Sequence, residues 1–493
     1  MIKRSKTAIR ALLPKNTFAR GVGVLVGGTA SAQILLVLAV PILTRLYTPE
    51  DFGLLAVYAS LLAIIGVIST LRYELAIPLP EDDVEAANVA VLSLLLVAIS
   101  TALTAILLLM LGTSIFELLG VPVLANYMWL IPVGLLISGA YSVFNYWSVR
   151  IKRFGTIAQT KIIQAIASLI IQLVTFKFGF FGLLLGQVAG QSVGTTNLAR
   201  PALAMLAFKQ VSWCNIKKVA IKYKRFPLYS NWAALFNVVG HQMPSLLIAS
   251  FFMASAVGFY TLAVRVLLYP ASVISNSVGS VFFSEAANSY RKGTLKILYI
   301  KIQSRLIEYG FPPLILLTLF APDVFFIVFG SDWEVAGHLS QWLILTVFAS
   351  FVISPTSTIF SIINKQNIGM WLQINLFLLR FSALIFGGFY LDINGTVAIY
   401  SILSVLGYTL FAIMIMINIG VPARAFYRPV MNGILYSVLA ALPLYLLKVT
   451  EVGIINGYGL LAFLAFITIV GFRYYFISLN EYRAYDVDKK IKN

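Results

Sequence analysis

Fourteen apolar stretches of about 18 to 28 residues occupy most of this 493-residue chain. A helix needs roughly 20 residues to cross a hydrocarbon core of about 30 Å. Inside a bilayer the backbone polar groups must be satisfied within the segment, and apolar runs of this length favour helices. We predict an all-α polytopic membrane protein with about 14 transmembrane helices, at 19–44, 52–70, 87–111, 128–149, 161–177, 180–207, 229–252, 256–283, 306–328, 339–362, 369–390, 394–418, 431–448 and 456–478.

The basic residues fall almost wholly into every second gap between these spans. With the N-terminus inside, 30 of the 36 Lys and Arg residues are cytoplasmic, as the positive-inside rule requires. The exceptions are three external residues and three within spans: Arg45, Lys177, Lys448, Arg200, Arg265 and Arg380. The pattern predicts a multi-pass protein of the bacterial inner membrane with both termini in the cytoplasm. The net charge of +18 is then a topology signal, with the phospholipid bilayer as partner and no nucleic acid.

Composition and loop lengths exclude several classes of protein. A hydrophobic fraction of 60% and a mean hydropathy of +0.91 exclude a soluble globular domain, and the single Cys214 excludes a disulfide framework. We expect no metal site and no cofactor. The longest external gap, 112–127, has no room for an outer catalytic domain, so the chain is not expected to be an enzyme.

The spans divide into two sets of six. A Gly follows a short external turn and opens an aromatic-containing helix in both span two, at Gly53, and span eight, at Gly258. We predict two six-helix lobes in parallel repeat, an architecture typical of transporters. The predicted order is a basic N-terminal segment (1–18), an N-lobe (19–208), a basic cytoplasmic linker (209–228), a C-lobe (229–418), a trailing pair of spans (419–478) and a tail (479–493). The basic stretches 209–228 and 285–305 are interpreted as helices lying on an anionic leaflet.

Ionisable residues within a bilayer are costly and indicate function. Arg265 and Arg380 lie near the midplane, and Arg200 lies about seven residues from the cytoplasmic end of span six. Each could instead pair with helix carbonyls or a carboxylate, and Arg200 could also extend to the interface. Because no Asp or Glu lies at matching depth, we expect a positively charged cavity. The guanidinium suits phosphate oxygens, so the expected substrate carries anionic groups such as a pyrophosphate.

Polar side chains accompany these arginines in spans seven and eight. Asn237, His241 and Gln242 lie in span seven, and Asn276 lies in span eight. They are candidates to line a wet cavity, although each could equally bond a neighbouring helix. His241 could carry a coupled proton or be a packing histidine.

Three segments carry a family resemblance: 44–53 (TRLYTPEDFG), 71–78 (LRYELAIP) and 258–265 (GFYTLAVR), the last followed by Pro270. They resemble the polysaccharide transporter family, which includes the O-antigen (Wzx-type) flippases. That family lies within the multidrug, oligosaccharidyl-lipid and polysaccharide exporter superfamily.

This resemblance implies a carrier that moves undecaprenyl-diphosphate-linked oligosaccharide from the cytoplasmic to the periplasmic leaflet by alternating access. It places Arg265, Arg45 and Arg72 on family motifs as substrate-binding residues, whereas Arg380 and Arg200 follow from depth and charge. Related lipid II flippases have fourteen spans and use the last two as a groove for the lipid tail, which implies the same role for spans thirteen and fourteen. A polysaccharide polymerase and a chain-length regulator are candidate partners.

Three alternatives remain. A multidrug exporter of the same superfamily would favour buried carboxylates, which the predicted midplane lacks. A polymerase or ligase would need a long periplasmic loop. A lipid II flippase would differ only in its cargo.

Overall fold

In a computed structural model of the chain, the residues described are 17–449, 466–471 and 474, and their regular structure is helical throughout. Fourteen helices form the framework, most of them more than 20 residues long. In chain order, α1 to α14 span Thr17–Leu43, Pro49–Ser69, Asp83–Leu118, Leu130–Arg150, Phe154–Val174, Phe180–Leu203, Trp213–Lys222, Asn231–Phe251, Ala254–Arg291, Leu295–Phe329, Glu334–Ile353, Gln366–Tyr390, Ile393–Ile419 and Arg424–Val449. Short helical turns join several of them.

Twelve helices among the described residues are long and apolar enough to cross a membrane, which confirms an all-α polytopic protein. The predicted sixth span forms helix α6 but is not one of the twelve, because Gln, Ser, Thr, Asn and Gly residues dilute its apolar character. Predicted span fourteen lies outside the described residues except for 466–471 and 474. Residues 1–16 of the predicted N-terminal segment and the predicted tail 479–493 also lie outside them.

The second basic stretch corrects one prediction. Instead of a separate surface helix over 285–305, α9 runs on to Arg291 and α10 begins at Leu295. Gly293, with a φ of +70°, makes the turn between them. No Gly or Pro interrupts α10 before residue 310, and Leu295, Tyr299 and Leu306 are buried along one face. The charged residues lower the hydropathy of this stretch below that of a membrane span. They are compatible with an α-helix, so both helices extend into it.

The predicted linker contains a separate amphipathic helix, α7. It buries Ile216 and Val219 and packs on α3. The Tyr73 hydroxyl donates a hydrogen bond of 2.9 Å to the carbonyl of Ala220. Lys222 Nζ lies 2.6 Å from Glu85 Oε1 at the start of α3. The linker helix is therefore attached to the helices that precede it.

By backbone contacts the chain divides into two compact units. The first runs to Val266 and also contains Phe326–Ala336 and Leu384–Thr396; the second contains Leu267–Phe325, Gly337–Ala383 and the chain from Val397 onward. These boundaries differ from those of the lobes 19–208 and 229–418, which remain a prediction.

Small residues set the packing of the first unit. Helix α6 presents Gly186, Gly190 and Gly194 at intervals of four residues, and a Cβ at any of them would overlap atoms of α5. Such spacing lets two membrane helices approach closely. Helix α5 packs in turn on α1, and α6 packs on α4.

Arg150, at the end of α4, holds the turn between α2 and α3. Its guanidinium lies 2.9 Å from Asp83 Oδ1 and donates to the carbonyls of Ile77, Pro80 and Glu81. Only 10% of the side chain is exposed. A planar fork of five donors suits this set of acceptors, whereas an ammonium does not.

We therefore expect Arg150→Lys to lower the free energy of unfolding by about 1–3 kcal/mol, since several buried carbonyls lose a donor. The midpoint of thermal unfolding of the purified protein in detergent measures the change. Arg153→Lys is the matched control, because Arg153 is exposed three residues further on. An equal effect of both substitutions would contradict this role of Arg150.

Candidate functional site

The first motif, 44–53, begins helix α2. Thr48 is the N-cap and Pro49 follows it. The amide of Asp51 donates to Thr48 Oγ1 at 3.2 Å, and the amide of Thr48 donates to Asp51 Oδ2 at 2.9 Å. This capping box satisfies two helix-end donors, and Pro suits the first helical turn. The Thr-Pro-Glu-Asp part of the motif therefore has a structural role.

The same motif meets Trp333 at the predicted external end of the first unit. The indole Nε1 of Trp333 donates to the carbonyl of Thr44 at 2.9 Å. The Trp333 ring packs edge-on against Phe52, with centroids 5.1 Å apart, and against Phe259 at 6.1 Å. Trp333 is fully buried. We call Thr44, Phe52, Phe259 and Trp333 the Trp333 cluster.

Gly53 and Gly258, which indicated the internal repeat, contact each other's helices. A Cβ on Gly53 would overlap the carbonyl oxygen of Ala254, and a Cβ on Gly258 would overlap the carbonyl oxygen of Pro49. The relation is reciprocal. The first turns of α2 and α9 therefore cross at a distance that only glycine permits at both positions.

The second motif, 71–78, forms a strained turn at the predicted cytoplasmic end. Leu71 and Arg72 have φ angles of +47° and +64°, which is costly for residues with a Cβ. Glu74 is buried, accepts a hydrogen bond from Thr70 and lies 3.6 Å from Arg72 Nη1. Burial raises the pKa of the Glu74 carboxyl, although the Thr70 hydroxyl and Arg72 oppose that rise.

Span seven places two predicted residues on one face of α8. Asn237 and His241 are four residues apart and exposed. Gln242 instead bonds to α2, where Ser60 Oγ donates to its Oε1 at 3.0 Å. His241 lies ten residues from Phe251, at the predicted external end of α8, or about 15 Å at 1.5 Å per residue. Exposed polar groups at this depth indicate contact with water rather than with hydrocarbon.

Arg265 lies at a similar depth on α9. It is eleven residues from Ala254, or about 16 Å from the predicted external end of the helix, and it is half-buried. No hydrogen bond or ion pair joins its guanidinium to another residue in the described part of the chain. An unpaired cation at this depth is a candidate binding group.

Arg380 belongs to the second unit, where it contacts helix α13. Its Nε donates to Ser404 Oγ at 3.0 Å and its Nη2 donates to the Tyr408 hydroxyl at 3.3 Å. The guanidinium also lies 5.7 Å from the ring centroid of Tyr400 and 5.3 Å from that of Tyr408. Cation–π contacts stabilise a desolvated guanidinium. These partners on α13 are hydroxyls and aromatic rings, whereas the alternative interpretation of the midplane arginines named helix carbonyls or a carboxylate.

The other predicted residues lie apart from the mid-depth face. Arg45 is exposed at the predicted external end of α1 and donates to the carbonyl of Ile327 at 3.2 Å. Arg200 is exposed in the last turn of α6. Asn276 is exposed on the part of α9 that belongs to the second unit, and its backbone carbonyl accepts a hydrogen bond from Ser280.

Comparison with known families identifies the chain. Residues 42–338, more than half of its length, match the family model of the polysaccharide biosynthesis proteins. The chain belongs to this family. No curated protein sequence matches it. The matched range contains all three motifs and every residue of the Trp333 cluster.

Solved structures share the fold of this polysaccharide biosynthesis protein. A lipid II flippase, MurJ, in an inward closed conformation has a TM-score of 0.72 at 14% identity, covering 93% of this chain and 99% of that one. An inward-facing multidrug transporter of the MATE family, in the MOP superfamily, has a TM-score of 0.64 at 18% identity, with 79% and 94% covered. A point mutant of VcmN, a MATE transporter of Vibrio cholerae, has a TM-score of 0.50 at 13% identity, with 83% and 99% covered.

Several contact residues of this family member carry no signal in the sequence. Trp333 is a single tryptophan in the short turn between α10 and α11, which is too common a feature to indicate a contact with Thr44. Ser60, Ser404 and Tyr408 are ordinary polar residues in apolar helices. Helical spacing predicts neighbours within a helix, and these contacts all join different helices.

The raised pKa of Glu74 gives a pH prediction. The folded protein holds this proton at pH values where the unfolded chain, with a pKa of about 4.5, has lost it. Stability should therefore fall as the pH rises from the unfolded pKa through the folded one. We expect the unfolding midpoint of the wild type, relative to Glu74→Gln, to decrease above pH 4.5. The exposed Glu81→Gln is the control, and a constant difference between wild type and Glu74→Gln across pH would refute the prediction.

Proposed function

We propose that this protein is a flippase that moves undecaprenyl-diphosphate-linked oligosaccharide repeat units, for O-antigen or another surface polysaccharide, from the cytoplasmic to the periplasmic leaflet of the bacterial inner membrane. Its membership of the polysaccharide biosynthesis family supports a role in this chemistry. The shared fold with transporters supports transport rather than catalysis. A polymerase and a chain-length regulator are proposed partners, and both termini are proposed to be cytoplasmic.

The observation that carries the proposal is Arg265. It is a half-buried cation about 16 Å from one end of a helix long enough to span a membrane, and no described residue pairs with it. A sugar head group with two phosphates cannot cross hydrocarbon unaided, because each unpaired polar group costs several kcal/mol to desolvate. The guanidinium can bind the diphosphate in bidentate fashion. Asn237 and His241, at similar depth, offer hydrogen bonds to sugar hydroxyls.

Arg72 and Arg45 extend the same chemistry to the two membrane surfaces. Arg72 lies at the predicted cytoplasmic end of α2, where the lipid-linked cargo enters, and Arg45 lies at the predicted external end, where it leaves. Arg200 adds an exposed cation at the predicted cytoplasmic end of α6. A graded series of cations lets an anionic head group move between weak sites, whereas one very strong site would retain it.

The contacts at the external end support alternating access. The Trp333 cluster and the crossing at Gly53 and Gly258 hold the first turns of α2 and α9 together. Both contact sets must separate if cargo is to leave on that side. Aromatic edge contacts and glycine crossings, unlike a covalent bond, can open at a cost of a few kcal/mol.

The rival functions have less support. Within the described residues, no carboxylate lies at the depth of Arg265, so a site for cationic drugs has no counter-charge there. A solved lipid II flippase has the same fold, and that function would differ from the proposed one only in its cargo.

The experiment that tests the function is mass spectrometry of lipid-linked saccharides from cells depleted of this protein, combined with a sidedness assay on inner-membrane vesicles. Single repeat units on undecaprenyl diphosphate should accumulate and face the cytoplasm. The same units facing the periplasm would indicate a polymerase, accumulation of lipid II would indicate the lipid II flippase, and altered drug sensitivity alone would indicate an exporter.

Arg265→Ala should reduce flipping at least about tenfold, since a charge-assisted hydrogen bond pair to phosphate contributes roughly 1.5–3 kcal/mol. Arg265→Lys should restore part of the activity, because it retains the charge but loses the fork. The readout is the fraction of repeat units protected inside inverted vesicles. Arg291→Ala is the control, since Arg291 is an exposed arginine at the far end of the same helix. Normal flipping by Arg265→Ala would contradict the binding role.

Closure of the external end can be tested by cross-linking. The only native cysteine, Cys214, is exposed and can be replaced by Ser. In that background Arg45→Cys and Ile327→Cys introduce thiols at two exposed positions that are in contact through the arginine side chain. A short bifunctional thiol reagent should join them and stop flipping, and a reductant should restore it when the reagent contains a disulfide. If the cross-linked protein flips at the rate of the untreated double variant, opening at this end is not required.

A further inference from the structure

Lys161 is a cation of the first unit that the proposed function does not use. It lies seven residues from Phe154, at the predicted cytoplasmic end of α5, or about 10 Å into a helix long enough to span a membrane. The residue is half-buried. Its ammonium contacts the ring of Tyr141 on α4, and in the described part of the chain no hydrogen bond or ion pair joins it to another residue. A charge without a counter-charge at this depth indicates water or a ligand.

Lys161 lies on the face of α5 that packs against other helices. The exposed apolar residues Ile163 and Ile166 mark the face that is expected to contact lipid. With 3.6 residues per turn, Lys161 lies about 140–200° around the helix from them. It is on the same side as the buried residues Ala165 and Ser168. The ammonium therefore points into the helix bundle and away from lipid.

The contact with Tyr141 keeps the ammonium at this depth. Lys161 Nζ lies 4.7 Å from the centroid of the Tyr141 ring. Tyr141 is nine residues from Arg150, at the predicted cytoplasmic end of α4, or about 13.5 Å. A lysine that extended to the membrane surface would lie away from this ring. An aromatic ring attracts a cation but has no net charge, so the positive charge of Lys161 is not neutralised.

Three helices meet around this pair of residues. The Tyr141 hydroxyl lies 3.4 Å from Thr160 Oγ1, which joins α4 to α5. Gln164 of α5 lies against α6, where a Cβ on Gly194 would overlap its amide nitrogen. Thr195 Oγ1 donates a hydrogen bond of 3.2 Å to a backbone carbonyl of α4, which joins α6 to α4. Each helix therefore contacts the other two through polar groups or a glycine.

A buried amide oxygen beside this junction also has no partner. Gln191 lies three residues before Gly194 on α6, and its Oε1 is buried without a hydrogen bond to any described residue. Gln164, which contacts Gly194, lies three residues after Lys161 on α5. Residues three apart on a helix are neighbours, so the unpaired oxygen and the unpaired ammonium border one junction. We call the following residues the Lys161 site: Tyr141, Thr160, Lys161, Gln164 and Gln191.

The unpaired groups of the Lys161 site indicate the chemistry of a ligand. The ammonium of Lys161 is a compact charge with three rotatable donors, which suits a single carboxylate, whereas the planar fork of Arg265 suits a diphosphate. A free amide oxygen, as in Gln191, accepts a hydrogen bond from a hydroxyl. A ligand hydroxyl would also remove the cost of a buried acceptor without a partner. An acidic sugar, such as a hexuronic acid, carries both a carboxylate and hydroxyls.

We propose that the Lys161 site binds an acidic sugar of the cargo. Lys161 donates to the carboxylate of this sugar, and Gln191 accepts a hydrogen bond from one of its hydroxyls. The inference rests on the proposed function and adds that the repeat unit carries a carboxylate besides its diphosphate. Lys161 and Arg265 belong to the same compact unit. Arg265 binds the group that all such cargoes share, and Lys161 distinguishes acidic repeat units from neutral ones.

The test compares the binding of two matched probes to the purified full-length protein in detergent. Both probes are disaccharides on a polyprenyl diphosphate, and their second sugar is glucuronic acid in one and glucose in the other. The wild type should bind the acidic probe at least about tenfold more tightly, because the neutral probe lacks the partner for a charge-assisted hydrogen bond. Lys161→Gln should abolish this preference, and Lys161→Arg should retain it because the charge remains. Lys152→Gln is the matched control, since Lys152 is an exposed lysine in the turn before α5.

The outcomes separate this inference from the proposed function. Equal affinity for the two probes, with both weakened by Arg265→Ala, would overturn the inference and leave the proposed function in place. Binding of neither probe would contradict the proposed function and the inference with it. A preference that survives Lys161→Gln would place the selectivity elsewhere and overturn the assignment to Lys161.

Two further measurements keep the test decisive. Dioleoyl phosphatidylglycerol is a third probe, and if its binding depends on Lys161 while that of the acidic disaccharide does not, the site binds an anionic lipid and the inference is wrong. Where Lys161→Gln does not fold, labelling of the wild type with an amine-reactive reagent, read by mass spectrometry, replaces it. The acidic probe should slow the labelling of Lys161 more than the neutral probe does, and equal protection by both would overturn the inference.

Discussion

The free energy of placing a cation in hydrocarbon governs how this chain uses its arginines. Arg150, at a helix end, has a carboxylate and three carbonyls. Arg380, within a span, has two hydroxyls and two aromatic rings. Arg265, at the depth of Asn237 and His241, has no partner among the described residues. A membrane protein tolerates the third arrangement only where water or a ligand reaches the charge.

The motif residues separate into those that build helices and those that contact other helices. Thr48 and Asp51 cap α2 and need no substrate to explain them. Phe52 and Phe259 come from the two motifs that suggested an internal repeat, and both contact Trp333. Gly53 and Gly258 contact each other's helices in a reciprocal way. The repeated Gly and aromatic pattern therefore describes one contact seen from its two sides, which explains why both copies have the same residue types.

The helices could be predicted from the sequence because their cause is local. Runs of apolar residues gave spans whose positions agree with α1 to α6 and α8 to α14. The main error arose at 285–305, where α9 and α10 continue and no separate surface helix forms. Hydropathy indicates whether a segment lies in lipid or in water, whereas helix formation depends on the helix propensity of the residues and on helix-breaking residues. Within 285–305 only Gly293 interrupts the helix. The cluster around Trp333 was beyond such reasoning, since Trp333 and Thr44 are separated by 289 residues. The partners of Arg380 on α13 were missed for the same reason.

In the proposed function the protein has to bind its cargo without retaining it, and Arg380 and Arg265 differ in what they can offer. Arg380, which already donates to Ser404 and Tyr408, would gain less from a phosphate than Arg265. In that proposal Arg265, without partners among the described residues, gains charge-assisted bonds when the diphosphate arrives and loses them when it leaves. Because water would solvate the unpaired arginine between cycles, the net gain would be modest, and release at the predicted external side would follow the opening of the Trp333 contacts.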